Sequence, residues 1–429
     1  MALSLQSCIQ PIMIHATLAW EWWQSGVTYY PLSPRVYHNP YPTYAKLRVR
    51  DPVHWNFLSR SWIISRYRDI DAILRDHIRF SNDARYRQGV DQAQAAAENP
   101  GGPSILFLDP PDHTRLRALV QQAFIPRALE AMARRIRQIA AQLLDDIPDP
   151  TAFELMEALA RPLPTIVMAE LLGVPTRDLA QFQTWSRQRT RLLEPMRTAR
   201  EQQLGTQAAH ELHAYFHSLI EQRRVEPQDD LISALVAAEA SGEKLSHDEV
   251  LVMLRLLLVA GNETTTNLIG NGLLALLRHP DQLQVLRSDP DLIASAIDEI
   301  LRYDSPAQVV ARTALQDLEV GGRHVGQGQV IVLLLGSANR DPEVFDRPDH
   351  LDITRHGPSS LGFGRGIHHC LGAPLARLEA KIAFETLLER FAEMHLRKAD
   401  PPFGDNIVFR GLEALPIGAT TARLQRRAS

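Results

Sequence analysis

Residues 363–372, FGRGIHHCLG, have the types and the spacing to hold a metal-bound group. Glycines on either side of Cys370 allow the backbone to fold closely around a flat neighbour. A helix beginning at Pro374 directs its positive dipole end towards the sulfur. Such an environment favours the thiolate over the thiol, and a thiolate near backbone N–H donors is what a haem iron ligand requires. A buried, inert cysteine on a glycine-rich loop is the alternative for this segment alone.

Other cofactor sites fit the sequence poorly. His368, His369 and Cys370 are adjacent, so their side chains diverge, and no second cysteine pair lies nearby to complete a zinc site. The chain has neither the C-x-x-C-H motif of covalently attached haem nor a G-x-G-x-x-G dinucleotide motif. Because Cys8 is the only other cysteine, a disulfide framework and an iron–sulfur cluster held by this chain alone are both excluded.

A second candidate lies inside a long predicted helix. Ser246 and Glu249 form a capping box, and the helical pattern then continues for about 30 residues, roughly 45 Å, enough to cross a globular protein. The stretch AGNETT at 260–265 interrupts it with polar residues and a glycine, which costs about 1 kcal/mol relative to alanine. We infer that a ligand approaches the backbone here, with Glu263 and Thr264 as the acid and hydroxyl of a proton relay. A solvated helix face is the alternative.

Charged side chains at three further places have spacings that allow them to act together. Glu299 and Arg302 lie one helical turn apart on the same face, a spacing that exposed pairs also use. His113 and Arg117, four residues apart, face the same way and can grip an anionic group. Arg312 is a further candidate of this kind.

The elements that must position these residues are mostly helical. Helical periodicity is strong in 113–146, 151–172, 176–194, 201–224, 229–240 and 291–303, and strands are predicted near 53–55, 62–64, 319–322 and 329–335. A length of 429 residues gives a prior of about three domains, yet no Pro/Ser/Gly-rich linker divides the chain. We therefore predict one large, mainly α domain with a small β-sheet region.

Composition excludes several classes of partner. The net charge of −4 gives no basic signature for nucleic acid. No stretch approaches the roughly 20 mostly apolar residues of a membrane span, and no export signal is recognisable. We expect a cytoplasmic protein that binds no nucleic acid and has no integral membrane span.

Taken together, these features resemble the cytochrome P450 family in its soluble bacterial form. The family's haem-binding pattern, F-x-x-G-x-x-x-C-x-G, is matched at Phe363, Gly366, Cys370 and Gly372. The acid–alcohol pair and the E-x-x-R pair precede it in the family's order, and the resemblance runs from about Asn39 to the C-terminus. It implies the cytochrome P450 fold, in which the long helix crosses over the haem. It also implies a single catalytic domain at 39–429, after an unmatched extension at 1–38.

The resemblance implies how the cofactor is held. Cys370 is expected to be the axial thiolate ligand of haem b, with Phe363 packed beside the ligand loop. The region of Gly366 and Gly372 is expected to allow close backbone approach. The haem propionates are carboxylates that Arg or protonated His binds well, and they are expected to contact His113, Arg117, Arg312 and His368.

Roles in chemistry and folding follow from the same resemblance. Thr264 and Glu263 are expected to deliver protons for the activation of O2. Glu299 and Arg302, with Arg340 as a candidate third member, are expected to form a buried ion network that organises the structure and takes no part in the reaction.

The implied activity is insertion of one atom of O2 into a lipophilic small molecule, by hydroxylation or epoxidation. Because the chain lacks a dinucleotide motif and iron–sulfur ligands, NAD(P)H must act indirectly, through a ferredoxin or flavodoxin and its reductase. The substrate pocket is expected to include Arg85, which can anchor a carboxylate, and Ala260, Gly261, Val309, Val310 and Leu412. Two alternatives remain: a peroxide-driven haem-thiolate peroxygenase, and a non-catalytic haem protein that binds or senses a ligand.

Overall fold

The structure, a computed structural model, describes residues 2–89, 93, 96, 98–121, 124–194, 197–240 and 245–421. Side chains are described from residue 14 onward, apart from 126 and 127, so the side chain of Cys8 lies outside them. Within the described residues the fold is mainly helical with small sheets, as predicted.

The helices surround one long central member. They are α1 (Ala2–Ser25), α2 (Pro34–His38), α3 (Tyr41–Arg50), α4 (Tyr67–Arg75), α5 (Asp112–Gln121), α6 (Pro126–Asp145), α7 (Pro162–Leu172), α8 (Leu179–Thr190), α9 (Ala199–Val225), α10 (Leu231–Ala240), α11 (His247–Arg278), α12 (Pro280–Ser288), α13 (Ile293–Tyr303), α14 (Leu335–Ala338) and α15 (Ala373–Arg390). A π-helical turn, Met156–Ala160, precedes α7, and a 3-10 turn, Gly366–His368, precedes Cys370.

The strands form three small sheets within the described residues. They are β1 (Val53–Asn56), β2 (Ser61–Ile64), β3 (Phe80–Ser81), β4 (Phe153–Glu154), β5 (Val309–Ala314), β6 (Leu318–Val320), β7 (Arg323–Val325), β8 (Val330–Leu334), β9 (Phe391–Leu396) and β10 (Pro416–Thr421). The largest sheet has the order β1-β2-β8-β5-β3, and the others are β4-β10-β9 and the β6-β7 hairpin. In the largest sheet β2 and β8 are parallel, whereas β5 pairs antiparallel with β8.

The predicted central helix, α11, is confirmed together with its cap. The Ser246 hydroxyl accepts the Glu249 N–H at 3.3 Å, and the Glu249 carboxylate accepts the Ser246 N–H at 2.8 Å. Buried leucines such as Leu254 and Leu273 precede and follow the polar stretch at 260–265. This helix therefore carries that stretch through the main hydrophobic core.

Two predicted helical regions are interrupted in the structure. The 113–146 region divides into α5 and α6, because Pro126 lacks an N–H and begins a new helix at its first turn. The 151–172 region begins with β4 and the π-helical turn before α7 starts at Pro162. Strand β5 was not predicted, and it lies between β8 and β3, which are distant from one another in sequence.

The end of α1 is hydrogen-bonded to the first strand. Glu21 is 1% exposed, and its carboxylate accepts the Tyr29 N–H at 3.1 Å and the Asn56 amide at 3.1 Å. Among the described helices, none is long and apolar enough to cross a membrane. The division of the chain at residue 38 stays a prediction.

Candidate active site

The loop before α15 presents the sulfur of Cys370 with a tightly folded backbone behind it. Gly366 has a φ of +68°, and a Cβ there would lie 2.3 Å from Leu74 O, so glycine is required where the loop approaches α4. The Cys370 N–H donates to Phe363 O at 2.9 Å. Cys370 is exposed although protein surrounds it on nearly all sides. The residue is therefore accessible from a recess enclosed by the protein.

The sequence predicts that the loop favours the thiolate form of Cys370, and this prediction needs a correction. Burial raises the pKa of the Cys370 thiol, and it outweighs the opposing effects of the Gly372 N–H and the Arg117 guanidinium. Gly372 caps the start of α15, so the predicted helix terminus is present. The expectation that the loop alone favours the thiolate is nevertheless wrong, because the loss of hydration is the larger effect. A metal cation at the sulfur reverses this balance, since a coordinated thiol is deprotonated outright.

The four predicted propionate contacts gather around the same loop. The His113 and His368 rings are 4.4 Å apart, and Arg117 Nη2 donates to His369 O at 2.6 Å. Burial, followed by the positive charge of Arg312, lowers the pKa of His368 to about 3. Burial also lowers the pKa of Arg312 to about 10. The polar groups around the loop are thus poorly hydrated, and this disfavours their charged forms.

Several of these groups lack a hydrogen-bond or ion-pair partner that a dicarboxylate would provide. His113 Nδ1 and His368 Nε2 are buried and have no hydrogen-bond partner among the described residues. Arg312 is 6% exposed and donates to Ala311 O at 2.9 Å, and no described carboxylate forms an ion pair with it. Leaving a buried polar group unpaired costs about 1–3 kcal/mol, and more for a charged one. The residues present therefore fit the two propionates of haem, with Cys370 as the iron ligand.

The polar stretch of α11 has one face towards an internal space. Ala260 is exposed and Thr264 is half-buried, although Leu258 and Thr265 on either side are buried. The Thr264 hydroxyl donates to Ala260 O at 2.8 Å. Burial raises the pKa of Glu263, against the opposing charges of nearby arginines. Adjacent residues of a helix do not face each other, so the acid and the hydroxyl point in different directions.

The predicted pocket residues do not all lie together. Ala260 and Val310 have accessible surface, whereas the side chain of Arg85 is 67% exposed and forms an ion pair with Asp83. A Cβ on Gly261 would lie 2.7 Å from Met168 Sδ, so the lack of a side chain here lets Met168 of α7 pack against α11.

Two more of the predicted pocket residues are core residues. Leu412 is 4% exposed and bridges to Phe403, and it lies beside Gly270 of α11. Val309 is 9% exposed and packs in a cluster with Val27. The assignment of Arg85, Gly261, Val309 and Leu412 to the substrate pocket stays a prediction.

Glu299 and Arg302 form a buried, bidentate ion pair on α13. Arg302 Nε and Nη2 donate to the two carboxylate oxygens of Glu299 at 2.7 and 2.8 Å, and both side chains are at most 3% exposed. Arg302 also donates to three backbone carbonyl oxygens, those of Asn339, Pro348 and His350. This pair therefore connects α13 to the loop that leads to Cys370.

The third member of this network is Arg355, and the expectation for Arg340 is wrong. Arg355 Nε lies 3.1 Å from Glu299 Oε2. Arg340 instead donates to Tyr303 O and stacks at 3.5 Å from the Tyr41 ring centroid. Arg355 lies in a loop more than 50 residues from Glu299, so no local spacing indicates the contact.

Two other residues at the site were missed from the sequence. The Arg377 guanidinium lies 4.6 Å from the Phe363 ring centroid, and its charge acts on the Cys370 sulfur. His77 acts electrostatically on both His113 and His368. Arg377 lies five residues after the cysteine motif, a proximity that could have found it, whereas His77 comes from a distant turn after α4.

Known proteins match this chain over most of its length. A sequence model of the family described as "Cytochrome P450" matches residues 55–410. The chain is 42% identical to polyketide biosynthesis cytochrome P450 PksS of Bacillus subtilis (strain 168), over 91% of this chain and 98% of the relative. It is 40% identical to vitamin D(3) 25-hydroxylase of Pseudonocardia autotrophica, over 89% of this chain and 94% of that enzyme.

A solved structure agrees with this chain at the level of the fold. The crystal structure of P450BioI in complex with an acyl carrier protein ligated to hexadec-9Z-enoic acid has a TM-score of 0.84 and 38% identity, and covers 90% of this chain and 100% of that chain. The family model spans the central helix, the Glu299–Arg302 pair and Cys370. From these matches and the geometry of the cysteine loop, the chain belongs to the cytochrome P450 family and is a haem-thiolate monooxygenase.

Proposed function

We propose that this enzyme inserts one atom of O2 into a lipophilic small molecule and receives its electrons from separate proteins. The observation that carries the proposal is the Cys370 loop, which combines a cysteine accessible from an enclosed recess with buried, unsatisfied imidazoles and a guanidinium. When bound, haem would supply the redox chemistry that activates O2, and a cysteine thiolate ligand would favour cleavage of the O–O bond.

The chain's own groups hold the cofactor from two directions. Cys370 would bind the iron, and the N–H groups of Gly372 and Ala373 at the start of α15 would stabilise the negative charge on its sulfur. His113 Nδ1, His368 Nε2 and the Arg312 guanidinium would satisfy the propionates, while Arg117 supports the loop through His369 O. Phe363 and the Gly366 turn set the path of the backbone around the sulfur.

Proton delivery falls to α11. The Thr264 hydroxyl lies on the cavity-facing side of the helix and can orient a water molecule or the reacting oxygen. Glu263 holds its proton more strongly than an exposed carboxyl does, because its environment raises its pKa, and a proton donor near neutral pH needs this property. Because the two side chains diverge, water carries the proton from Glu263 to the face that bears Thr264.

The substrate is lipophilic in this proposal. Ala260 and Val310 offer apolar surface, as ligand pockets usually do. Relatives support the same class, since one is named as a vitamin D(3) 25-hydroxylase and another as an enzyme of polyketide biosynthesis. A carboxylate-bearing substrate at Arg85 would have to compete with Asp83, which already pairs with it.

Electrons reach the enzyme from NAD(P)H through a ferredoxin or flavodoxin and its reductase, in the cytoplasm. This part of the proposal depends on the family, whose members typically use redox partners. The loop around Cys370 is the docking region that shortens the path to the iron. Arg365 at this loop lies 3.5 Å from Asp71, so an acidic partner must compete with an internal carboxylate there.

Oxygen labelling tests the proposal. A panel of lipophilic probes is first screened for compounds that displace water from the iron. The haem-loaded protein is then supplied with NADPH, a surrogate ferredoxin and its reductase, 18O2 and these compounds. We expect a product that contains one 18O atom and that disappears when the reductase is omitted. A product formed equally well from hydrogen peroxide without reductase would establish the peroxygenase alternative. Probe binding without product under both conditions would establish the non-catalytic alternative.

A further inference from the structure

Two imidazoles and a carboxylate meet on the surface where α9 packs against the start of α11. His217 Nδ1 lies 2.8 Å from His247 Nε2, and Glu221 follows His217 by one helical turn. One ligand atom from each of the three residues lies within 4.8 Å of the other two. His247 is 16 positions before Glu263 on α11, or about 24 Å along the helix at 1.5 Å per residue. The cluster is therefore separate from the catalytic part of α11.

We propose that His217, Glu221 and His247 bind a divalent transition-metal ion, of which Zn²⁺ is the best match. Two imidazole nitrogens and one carboxylate oxygen form a donor set that Zn²⁺ accepts, with water completing a tetrahedron. Three atoms separated by at most 4.8 Å can all lie within about 2.8 Å of a common point. Small side-chain rotations then bring them to the Zn–N and Zn–O distances of about 2.0–2.2 Å.

The surroundings supply the outer contacts that a metal site needs. His247 Nδ1 lies 3.4 Å from Arg224 Nη2 and 3.9 Å from Glu239 Oε1, so binding of a metal at Nε2 requires Nδ1 to exchange the guanidinium for the carboxylate as its partner. Arg224 Nη2 donates to Glu239 at 2.6 Å, and its Nε donates to Glu221 at 3.0 Å. When Glu221 coordinates the metal, Arg224 still has Glu239 as its ion-pair partner.

The charge balance also permits a cation. Glu221 and Glu239 carry two negative charges and Arg224 carries one positive charge, so the immediate group is negative while the imidazoles are neutral. The positive end of the α11 dipole opposes a cation at His247, and the acidic first-turn residue Asp248 offsets it, whereas Glu249 is already paired with Arg115.

A metal bound here joins two helices that already pack against each other. It would bridge α9, which packs against α8, to α11, which carries Thr264. The metal would therefore stabilise the packing of α9 on α11, and the folded protein should unfold at a higher temperature when Zn²⁺ is present.

Zinc titration of the haem-loaded full chain tests the proposal. The protein is first treated with a chelator and then titrated with Zn²⁺ in competition with a chromophoric zinc indicator. We expect about one equivalent to bind in the micromolar range and to raise the melting temperature. His217→Ala and His247→Ala should each weaken binding at least about tenfold, as is typical when a metal site loses an important contact. Glu221→Gln, which keeps the size of the side chain, should weaken it as well.

His210→Ala is the matched control. His210 is exposed on the same helix, seven residues before His217, and its loss should leave zinc affinity unchanged. Absence of binding up to millimolar Zn²⁺ would overturn the proposal. Binding that survives both His217→Ala and His247→Ala would overturn it too, because the ion would then lie elsewhere. A variant that folds poorly does not obscure the result, since the Zn²⁺-dependent melting shift of the unmodified protein and of Glu221→Gln gives an independent readout.

Discussion

Glu299→Ala will yield little haem-loaded protein. The substitution leaves Arg302, 2% exposed, without its carboxylate, and it also removes a partner of Arg355. Breaking a buried ion pair by removing one partner typically costs about 3–5 kcal/mol, a large part of the roughly 5–15 kcal/mol by which most proteins are stable. Arg302 also donates to backbone carbonyl oxygens of the segment before the cysteine loop. When Arg302 loses its carboxylate partner, these bonds should weaken, and the loop that binds the haem iron should no longer keep its conformation. The measurement is the ratio of haem to protein after purification, together with the urea midpoint of unfolding.

An exposed pair on a helix provides the control for this effect. Glu157 pairs with Arg161 four residues later, and the Glu157 side chain is 73% exposed. Surface pairs of this kind contribute about 0–1 kcal/mol, so Glu157→Ala should retain its haem and its urea midpoint. Normal haem content and an unchanged midpoint in Glu299→Ala would show that the network does not organise the haem-binding loop.

Thr264→Ala will separate cofactor reduction from product formation. The hydroxyl donates to Ala260 O within its own helix, a bond that is not needed for helix stability, so the variant should fold and bind haem and substrate normally. Without the hydroxyl, O2 should be reduced to hydrogen peroxide instead of being inserted. The product formed per NAD(P)H oxidised should fall at least about tenfold, less than the 10²–10⁴-fold typical of a general acid because water partly replaces the hydroxyl.

Thr264→Ser keeps the hydroxyl and should keep most of the coupling. NAD(P)H oxidation, product and peroxide are measured together, so that a slower enzyme is distinguished from an uncoupled one. If Thr264→Ala forms as much product per NAD(P)H as the unmodified enzyme, Thr264 has no part in proton delivery.

Local signals in the sequence predicted the parts of the site that depend on neighbouring residues. The Ser246–Glu249 cap and the apolar periodicity after it were sufficient to place α11. The Glu299–Arg302 pair was found from its i, i+3 spacing, although that spacing did not tell whether the pair is buried. The approach of His113 to His368 came from the family resemblance, since 255 residues separate them in the sequence.

The predictions that needed correction depend on the direction of a side chain or on burial. Arg340 was expected in the ion network, but its guanidinium turns towards the Tyr303 carbonyl and the Tyr41 ring. Arg355 completes the ion network from a loop without periodicity, so only the folded chain reveals it. The raised pKa of the Cys370 thiol likewise follows from how much protein surrounds the sulfur, whereas the sequence indicated only the nearby helix terminus. Tertiary packing, which spacing does not encode, decides each of these properties.

The most direct test of this account is the absorption spectrum of the reduced, CO-bound protein, because it reports the ligand opposite the CO. With Cys370 as a thiolate ligand, the Soret band should lie at the red-shifted position characteristic of the family, and Cys370→Ser should lose that band even where some haem remains bound. A spectrum like that of a histidine-ligated haem in the unmodified protein would contradict the assignment of Cys370, and with it the proposed monooxygenase site.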